Sequence, residues 1–417
     1  MSILFFPSIK IKNIQISTYW LISLLGAVAL VLAKSVNLDN IFQTLTNDSS
    51  INPIKILILF ISMSILSIYL DSLGFFEYMA NIAVKKSAGN QFKLFIYLYT
   101  IVSILTIFTS NDIIILTFTP FMCVFARQTK INPLPYLFSI FVAANTWSLF
   151  LIVGNPTNIY LATLYNVTFF DYLKVMFLPA LLTGLMSFAC LFLIFRKSLR
   201  EPIQAAQTDI EIQDKFLLTI GIIHLAGCIV LLAVSAYIHL EMWIICLFSV
   251  LSLFLITLIY KAIKKSSPKE LAVCLKKAPW ELIPFIISMF VIVLSLNNAG
   301  ILNITASFLS KGVVVVNFGI ASFLASNIIN NIPMSIMFGE ILAHISQSDL
   351  AKGLYVCIIG SNLGAILTPI GALAGIMWTN ILNRYGIRFR FSDFVKYGVM
   401  ISIPAIFVAI LGLYIML

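Results

Sequence analysis

Two stretches of this chain, far apart in sequence, carry the same polar residues in the same order inside otherwise apolar runs. In the first, Ser110-Asn111-Asp112 precedes an apolar run that leads to Asn145, then to Gly154-Asn155-Pro156-Thr157-Asn158, then to Phe169-Phe170-Asp171-Tyr172-Leu173-Lys174. In the second, Ser326-Asn327 opens Asn330-Asn331-Ile332-Pro333, Gly360-Ser361-Asn362 leads into Thr368-Pro369-Ile370-Gly371, and Phe391-Ser392-Asp393-Phe394-Val395-Lys396 follows. Interrupted hydrophobic segments at corresponding places of two halves mark a transporter with its site at the interface of two repeats, near the bilayer midplane.

The chain is 61% hydrophobic and 10% charged, against roughly 25% charged in an ordinary soluble domain. Runs of about 20 apolar residues recur along it, the length needed to cross the hydrocarbon core. The class is therefore an all-α, polytopic membrane protein. About 11 spans are expected, at 18–34, 54–70, 92–108, 134–163, 170–195, 215–236, 240–260, 282–296, 312–325, 352–381 and 392–416. Two further apolar segments with internal Asn, Asp, Glu or Pro, near 110–126 and 327–345, are expected to be re-entrant or broken hairpins. Backbone that leaves the helix at membrane depth has to be shielded by protein or line a cavity, so both belong inside. The first apolar run starts after Lys10 and Lys12 and lacks a clear small-residue cleavage site, so it reads as a span and not as a signal peptide.

The net charge of +10 does not imply nucleic acid, because Lys and Arg gather in short loops, where the positive-inside bias places them. Lys261, Lys264, Lys265, Lys269, Lys276 and Lys277 crowd one connection, Arg196, Lys197 and Arg200 another, and Arg384, Arg388 and Arg390 a third. These faces are expected to be cytoplasmic in an inner-membrane protein, with 35–53 and the turn from Ala236 to Glu241 outside. The N-terminus is then cytoplasmic and the C-terminus external. Leu70-Asp71-Ser72-Leu73-Gly74 pairs with Leu296-Asn297-Asn298-Ala299-Gly300, and 18–34 with 240–260. The division follows: a first repeat over 1–200, a linker with one unpaired span over 201–239, and a second repeat over 240–417, inverted in the membrane.

Asn111, Asn145, Asn155, Asn158, Asn327, Asn330, Asn331 and Asn362 carry the chemistry, with Thr157 and Thr368 beside them. An amide supplies donors and an acceptor, and at membrane depth it faces the protein interior. Such a set suits a polyhydroxy solute or an ion, although interhelical hydrogen bonding is a second use for some members. Gly154, Pro156, Pro333, Pro369 and Gly371 are expected to break the helices, exposing free N–H and C=O groups and half-helix dipole ends. Asp112 is the candidate coupling group for a proton or cation, since carboxylates are scarce in these runs. Asp171 and Asp393 sit three residues before Lys174 and Lys396, an arrangement that predicts a first helical turn with a local ion pair.

His224, His239 and His344 make no metal-ligand spacing with the six cysteines, Cys123, Cys190, Cys228, Cys246, Cys274 and Cys357, which read as small buried hydrophobes. Without a P-loop, nucleophile elbow or zinc motif, the chain is expected to be no enzyme, with no cofactor and no bound metal. Its energy then comes from an ion gradient or a separate subunit. The implied partners are a small-molecule or ion substrate and membrane lipid; a homodimer and a cytoplasmic ATPase subunit stay open.

Leu70-Asp71-Ser72-Leu73-Gly74-Phe75-Phe76-Glu77, Ser110-Asn111-Asp112 with Thr119-Pro120, Ala278-Pro279-Trp280, Asn330-Asn331-Ile332-Pro333 and Gly360-Ser361-Asn362-Leu363-Gly364 with Leu367-Thr368-Pro369-Ile370-Gly371-Ala372-Leu373-Ala374 together resemble the bacterial arsenite efflux membrane protein, the arsenical pump subunit. The likeness runs from about 54 to 416. It implies an ion transporter superfamily fold and efflux of arsenite or antimonite by alternating access. The alternative is Na⁺- or H⁺-coupled transport of another small inorganic or carboxylate anion, and a passive channel is a further class. The family pattern has Asp where this chain has Asn362 and Asn145, so the resemblance leaves Asp112 as the carboxylate available for coupling.

Overall fold

Short connections and strong caps divide the chain into helices that repeat in order. The computed structural model describes residues 8–11, 14–46, 52–200, 212 and 214–417. Ser50, which the sequence places outside, and the first part of the linker, 201–211, lie outside the described residues. A small antiparallel ribbon of β1 (Ser8–Ile11) and β2 (Ile14–Ser17) precedes the helices.

The first half comprises α1 (Thr18–Leu32), α2 (Leu38–Thr46), α3 (Pro53–Ser72), α4 (Phe75–Ser87), α5 (Gln91–Phe108), α6 (Asn111–Thr129), α7 (Leu134–Trp147), α8 (Pro156–Leu164) and α9 (Phe169–Phe195). After α10 (Lys215–Val234) the same order returns. It comprises α11 (Met242–Ile263), α12 (Lys269–Lys277), α13 (Leu282–Asn298), α14 (Ile301–Leu309), α15 (Val314–Ile329), α16 (Asn331–Leu342), α17 (Gln347–Leu367), α18 (Leu373–Arg384) and α19 (Phe391–Met416). Among the described helices, only α10 has no counterpart. Eight stretches among the described residues are long and apolar enough to cross a membrane.

Matching punctuation makes the order physical. Gly74 and Gly300 both stand between the third and fourth helices of their halves, with φ of 79° and 73°. That left-handed geometry costs glycine nothing and a residue with a Cβ about 1–2 kcal/mol. Asn52, Asn90, Asp214 and Thr168 accept hydrogen bonds from backbone N–H groups in the first turns of α3, α5, α10 and α9, satisfying donors that a helix start leaves free. Asp171 completes the start of α9 by accepting from the Thr168 hydroxyl at 2.6 Å. Its expected partner Lys174 is not the one it takes.

The halves exchange helices. α1 packs on α13 and, in mirror fashion, α11 packs on α3. α6 packs on α18 while α16 packs on α8, and the two long closing helices α9 and α19 pack on each other. Within each half the fifth helix lies against the seventh, α5 on α7 and α15 on α17. The segments 92–108 and 312–325, read as spans from composition, form the leading arms of two helix–break–helix units, and the first of them is itself long and apolar enough to cross a membrane. α5 meets α6 across Thr109 and Ser110 alone, and α15 meets α16 across Asn330 alone.

Candidate functional site

Four helices begin at one place in the interior. The first residues of α6, α8, α16 and α18 are Asn111, Pro156, Asn331 and Leu373, and all four line a single cavity of about 10 Å³ together with Asp112, Asn155, Ile332 and Ala372. Each helix start carries roughly half a positive elementary charge and unpaired N–H groups. Four of them around one small space make a centre suited to negative charge or to hydroxyl oxygens.

The breaks that produce these starts differ from the sequence expectation. α7 ends at Trp147, well before Pro156, and the chain runs through a single 3₁₀ turn (Ile152–Gly154) to Asn155. Pro156 opens α8 at the first helical position, where its missing N–H costs nothing. Pro333 likewise sits in the first turn of α16, and the break before it is made by Asn330, at φ 76° and ψ 154°. Gly154, Pro369 and Gly371 do lie within breaks. A Cβ on Gly154 would stand 2.4 Å from the Ser148 carbonyl, and one on Gly371 would stand 2.7 Å from the Gly364 carbonyl, so both positions exclude any side chain.

Amides knit the first break to the second half. Asn362 Oδ1 accepts from Ser148 Oγ at 2.9 Å and from Asn155 Nδ2 at 2.8 Å, and Asn362 Nδ2 donates to Asn158 Oδ1 at 2.7 Å. Asn155 Oδ1 in turn caps α8, accepting from the Thr157 N–H at 3.1 Å and the Thr157 hydroxyl at 3.0 Å. Asn158 Nδ2 donates to the Ser148 carbonyl at 2.8 Å, closing the loop on itself. Asn362, Asn155, Asn158 and Thr157 are all buried.

The equivalent residue of the first half behaves differently. Asn145 and Asn362 each lie eleven residues before the start of the following helix, Pro156 or Leu373. Each donates its Nδ2 to the carbonyl four residues back, Phe141 at 2.8 Å and Ile358 at 2.9 Å. Asn145 Oδ1, however, accepts only from Asn111 Nδ2, at 3.3 Å. Asn111 Oδ1 is buried with no partner at all.

The second break is served by its own half. The Thr368 hydroxyl donates to Asn327 Oδ1 at 2.7 Å, Asn330 Nδ2 donates to the Ile370 carbonyl at 3.1 Å, and the Asn331 N–H donates to the Gly371 carbonyl at 3.0 Å. Of the residues singled out in the sequence, Asn111, Asp112, Asn155, Pro156 and Asn331 line the cavity. Asn145, Asn158, Thr157 and Asn362 stand directly behind it, whereas Asn327, Asn330 and Thr368 hold the second break. Motif order pairs Asn111 with Asn327, but helix order pairs Asn111 with Asn331, both first residues of their helices. Asn327 lies two residues before the end of α15, where α5 has Thr106.

Ser148, Ile332, Ala372 and Leu373 were missed by sequence reasoning. Ser148 follows Asn145 by three residues in the same polar cluster, which is the signal for it in the sequence; the other three are apolar residues placed by backbone alone. Among the described residues, no group of three or more His, Cys, Asp and Glu side chains is placed to hold a metal.

The family model for citrate transporters matches residues 13–358. The chain belongs to this family. It is also similar to the arsenical pump membrane protein of Escherichia coli, 26% identical over 374 residues that cover 85% of this chain and 84% of that one. The arsenical pump membrane protein of Yersinia enterocolitica is 26% identical over 369 residues, with the same coverage. A crystal structure of the YdaH transporter of Alcanivorax borkumensis superposes with a TM-score of 0.59 at 13% identity, covering 95% of this chain and 96% of that chain. This likeness shows the fold. This member of the citrate transporter family is therefore a multi-pass membrane transporter, and the cavity where its four half-helices begin is the candidate site.

Proposed function

We propose that this transporter exports arsenite or antimonite by alternating access, using the central cavity as its binding site. The observation that carries this reading is the cavity lining. It offers amides at Asn111, Asn155 and Asn331, one carboxylate at Asp112, four helix N-termini, and no Lys or Arg. Arsenite at neutral pH is an uncharged trihydroxide. Its hydroxyls can donate to the orphaned Asn111 Oδ1 and accept from helix N–H groups without the cost of burying a charge. A tricarboxylate would instead bring several negative charges beside Asp112 with no cationic side chain to meet them. Relatives named arsenical pump membrane protein support the same reading.

The convergence of four positive helix ends favours a second reading, a small anion exchanged for or carried with a cation. Coupling then has a simple form. Asp112 and an anionic solute compete for the same helix ends, so a bound solute favours a proton or cation on Asp112.

In this proposal the repeats occupy 1–200 and 240–417 with a linker over 201–239, inverted so that the Lys-rich connection at 261–277 and Arg384 are cytoplasmic. The presence of Lys85, Lys86 and Lys93 at one end of the α5–α6 unit and Arg127 and Lys130 at the other supports a re-entrant path with both ends on that side.

Everted membrane vesicles carrying the protein should take up arsenite when a proton gradient is imposed, and should ignore citrate. Citrate uptake without arsenite uptake would sink the first reading and favour the second. A cysteine introduced at Ser266 should react with an impermeant reagent from the cytoplasmic side alone; reaction from outside would reverse the proposed orientation.

A further inference from the structure

Three sulfur atoms meet away from the central cavity. Cys228 Sγ on α10 lies 3.8 Å from Cys246 Sγ on α11 and 3.9 Å from Met63 Sδ on α3. All three side chains are buried, and both thiols are unoxidised. α10 is the helix with no counterpart in the other half, so this meeting of α3, α10 and α11 has no repeat-related copy. The transport cycle described above makes no use of it.

The spacing has chemical meaning. A metal centre about 2.3 Å from each of three sulfurs in a trigonal plane sets those sulfurs about 4.0 Å apart. The two edges that meet at Cys228, 3.8 Å to Cys246 and 3.9 Å to Met63, fall close to that value. Thiolate and thioether together are soft ligands, which select soft metals over hard ones. Charge points the same way. A monovalent cation bound by one thiolate, one thiol and one thioether forms a neutral unit, the form a low-dielectric interior tolerates.

A cavity lies one helical turn from the sulfurs. A cavity of about 360 Å³ is lined by Ile56 and Leu59 of α3, Ser235 at the end of α10, and Met242 and Trp243 at the start of α11. Met63 stands one helical turn beyond Leu59, and Cys246 one turn beyond Met242, on the same helix faces as those lining residues. The thioether of Met242 adds a soft donor at the cavity wall.

We propose that Cys228, Cys246 and Met63 form a binding site for a soft monovalent d¹⁰ cation of the copper(I) or silver(I) kind, entered from the 360 Å³ cavity. The cation binds one thiol sulfur with loss of its proton to water in the cavity, and takes lone pairs from the second thiol and the thioether. No electron is transferred. The site stands independently of which solute the central cavity carries.

Silver(I) is the probe, because it is redox-inert under these conditions. The full-length protein, purified in detergent and freed of reductant without air, should retain one equivalent of silver through desalting against excess free methionine. Cys228→Ser and Cys246→Ser should each lose that equivalent. Met63→Leu, an apolar replacement of similar volume that keeps the packing, should retain the thiols and bind with affinity lower by roughly tenfold. Folding of each variant is checked by its elution profile and melting temperature. Retention of silver unchanged in Cys228→Ser would overturn the assignment. So would retention of phenylarsine oxide but not silver, since a trivalent arsenical needs only the two thiols and would leave Met63 without a role.

Discussion

Two of the helix starts that line the central cavity, α6 and α16, differ at one position that carries charge. Asn111 and Asp112 open α6, and Asn331 and Ile332 stand at the same first and second positions of α16. The second tip is stitched down, because the Asn331 N–H and Asn330 Nδ2 bond the backbone at Gly371 and Ile370. The first tip is held by a single 3.3 Å contact to Asn145 and keeps an unpartnered acceptor. A repeat protein can thus divide labour between halves: one tip supplies charge and unmet hydrogen bonding, the other supplies a fixed wall. Unsatisfied buried polar atoms are costly, and they are tolerated where a ligand or a motion will use them.

The largest expected effect comes from the charged position. Asp112→Asn keeps size and hydrogen bonding but removes the only carboxylate lining the cavity. In proteoliposomes it should abolish gradient-driven transport while leaving exchange of labelled for unlabelled solute at equilibrium. Ile332→Asn, at the matching place of the other tip, should leave coupling to the gradient intact. Gradient-driven transport that survives Asp112→Asn would mean the difference in charge between the tips is not what couples them.

A smaller contrast separates the two amides behind the tips. Asn362→Ala would strand Asn155 Nδ2 and Asn158 Oδ1, two buried partners, at a cost of about 1–3 kcal/mol for each group left unpaired, while the Ser148 hydroxyl keeps the Asn145 carbonyl at 3.0 Å. Substrate affinity should fall by two orders of magnitude or more, roughly, with a lower melting temperature. Asn145→Ala removes one 3.3 Å contact to Asn111 and should cost about tenfold in affinity, with little change in melting. Equal losses from the two variants would show that the halves use these amides alike.

The outline of this arrangement is legible in the sequence because costly residues do not scatter at random in apolar helices. Asn111, Asp112, Asn155 and Asn331 all reach the cavity that the paired motifs point to. What the sequence misplaces is the register of the breaks. Proline was read as the residue that ends a helix, yet Pro156 and Pro333 begin helices, and the breaks before them rest on Gly154 packing against Ser148 and on Asn330 at positive φ. Motif spacing also pairs Asn111 with Asn327, because the same Ser-Asn dipeptide ends at the first residue of α6 in one half and lies inside the last turn of α15 in the other. Ile332, Ala372 and Leu373 were beyond reach: apolar side chains announce burial, and only the backbone path makes them line a site.

The glycines of the two breaks allow a test of symmetry in the backbone. Gly154→Ala would drive a methyl against the Ser148 carbonyl, and Gly371→Ala against the Gly364 carbonyl and the Ala365 Cα. Neither obstacle is a flexible side-chain end. Overpacking of this kind costs about 1–3 kcal/mol, so both variants should melt at lower temperature and transport more slowly. A tolerated Gly154→Ala beside a damaging Gly371→Ala would locate the rigid wall in the second half alone.

The smallest effects are expected where the hairpin helices are anchored far from the cavity. Asp71 and Asn297 are the next-to-last residues of α3 and α13, each just before its left-handed glycine. Asp71 accepts from the Thr117 hydroxyl of α6 at 2.7 Å and pairs with Lys277 at 2.9 Å. Asn297 Oδ1 meets His344, which follows α16, at 3.2 Å. Both halves thus tie the hairpin helix to the same point, one through a carboxylate and one through an amide. Lys277 is exposed, and an exposed ion pair contributes about 0–1 kcal/mol, whereas the Thr117 bond is part-buried and should be worth about 0.5–1.5 kcal/mol. Thr117→Val should therefore lower the melting temperature more than Lys277→Gln, and added salt should weaken only the contribution of Lys277. A larger loss from Lys277→Gln would make the first anchor electrostatic and set it apart from its amide counterpart.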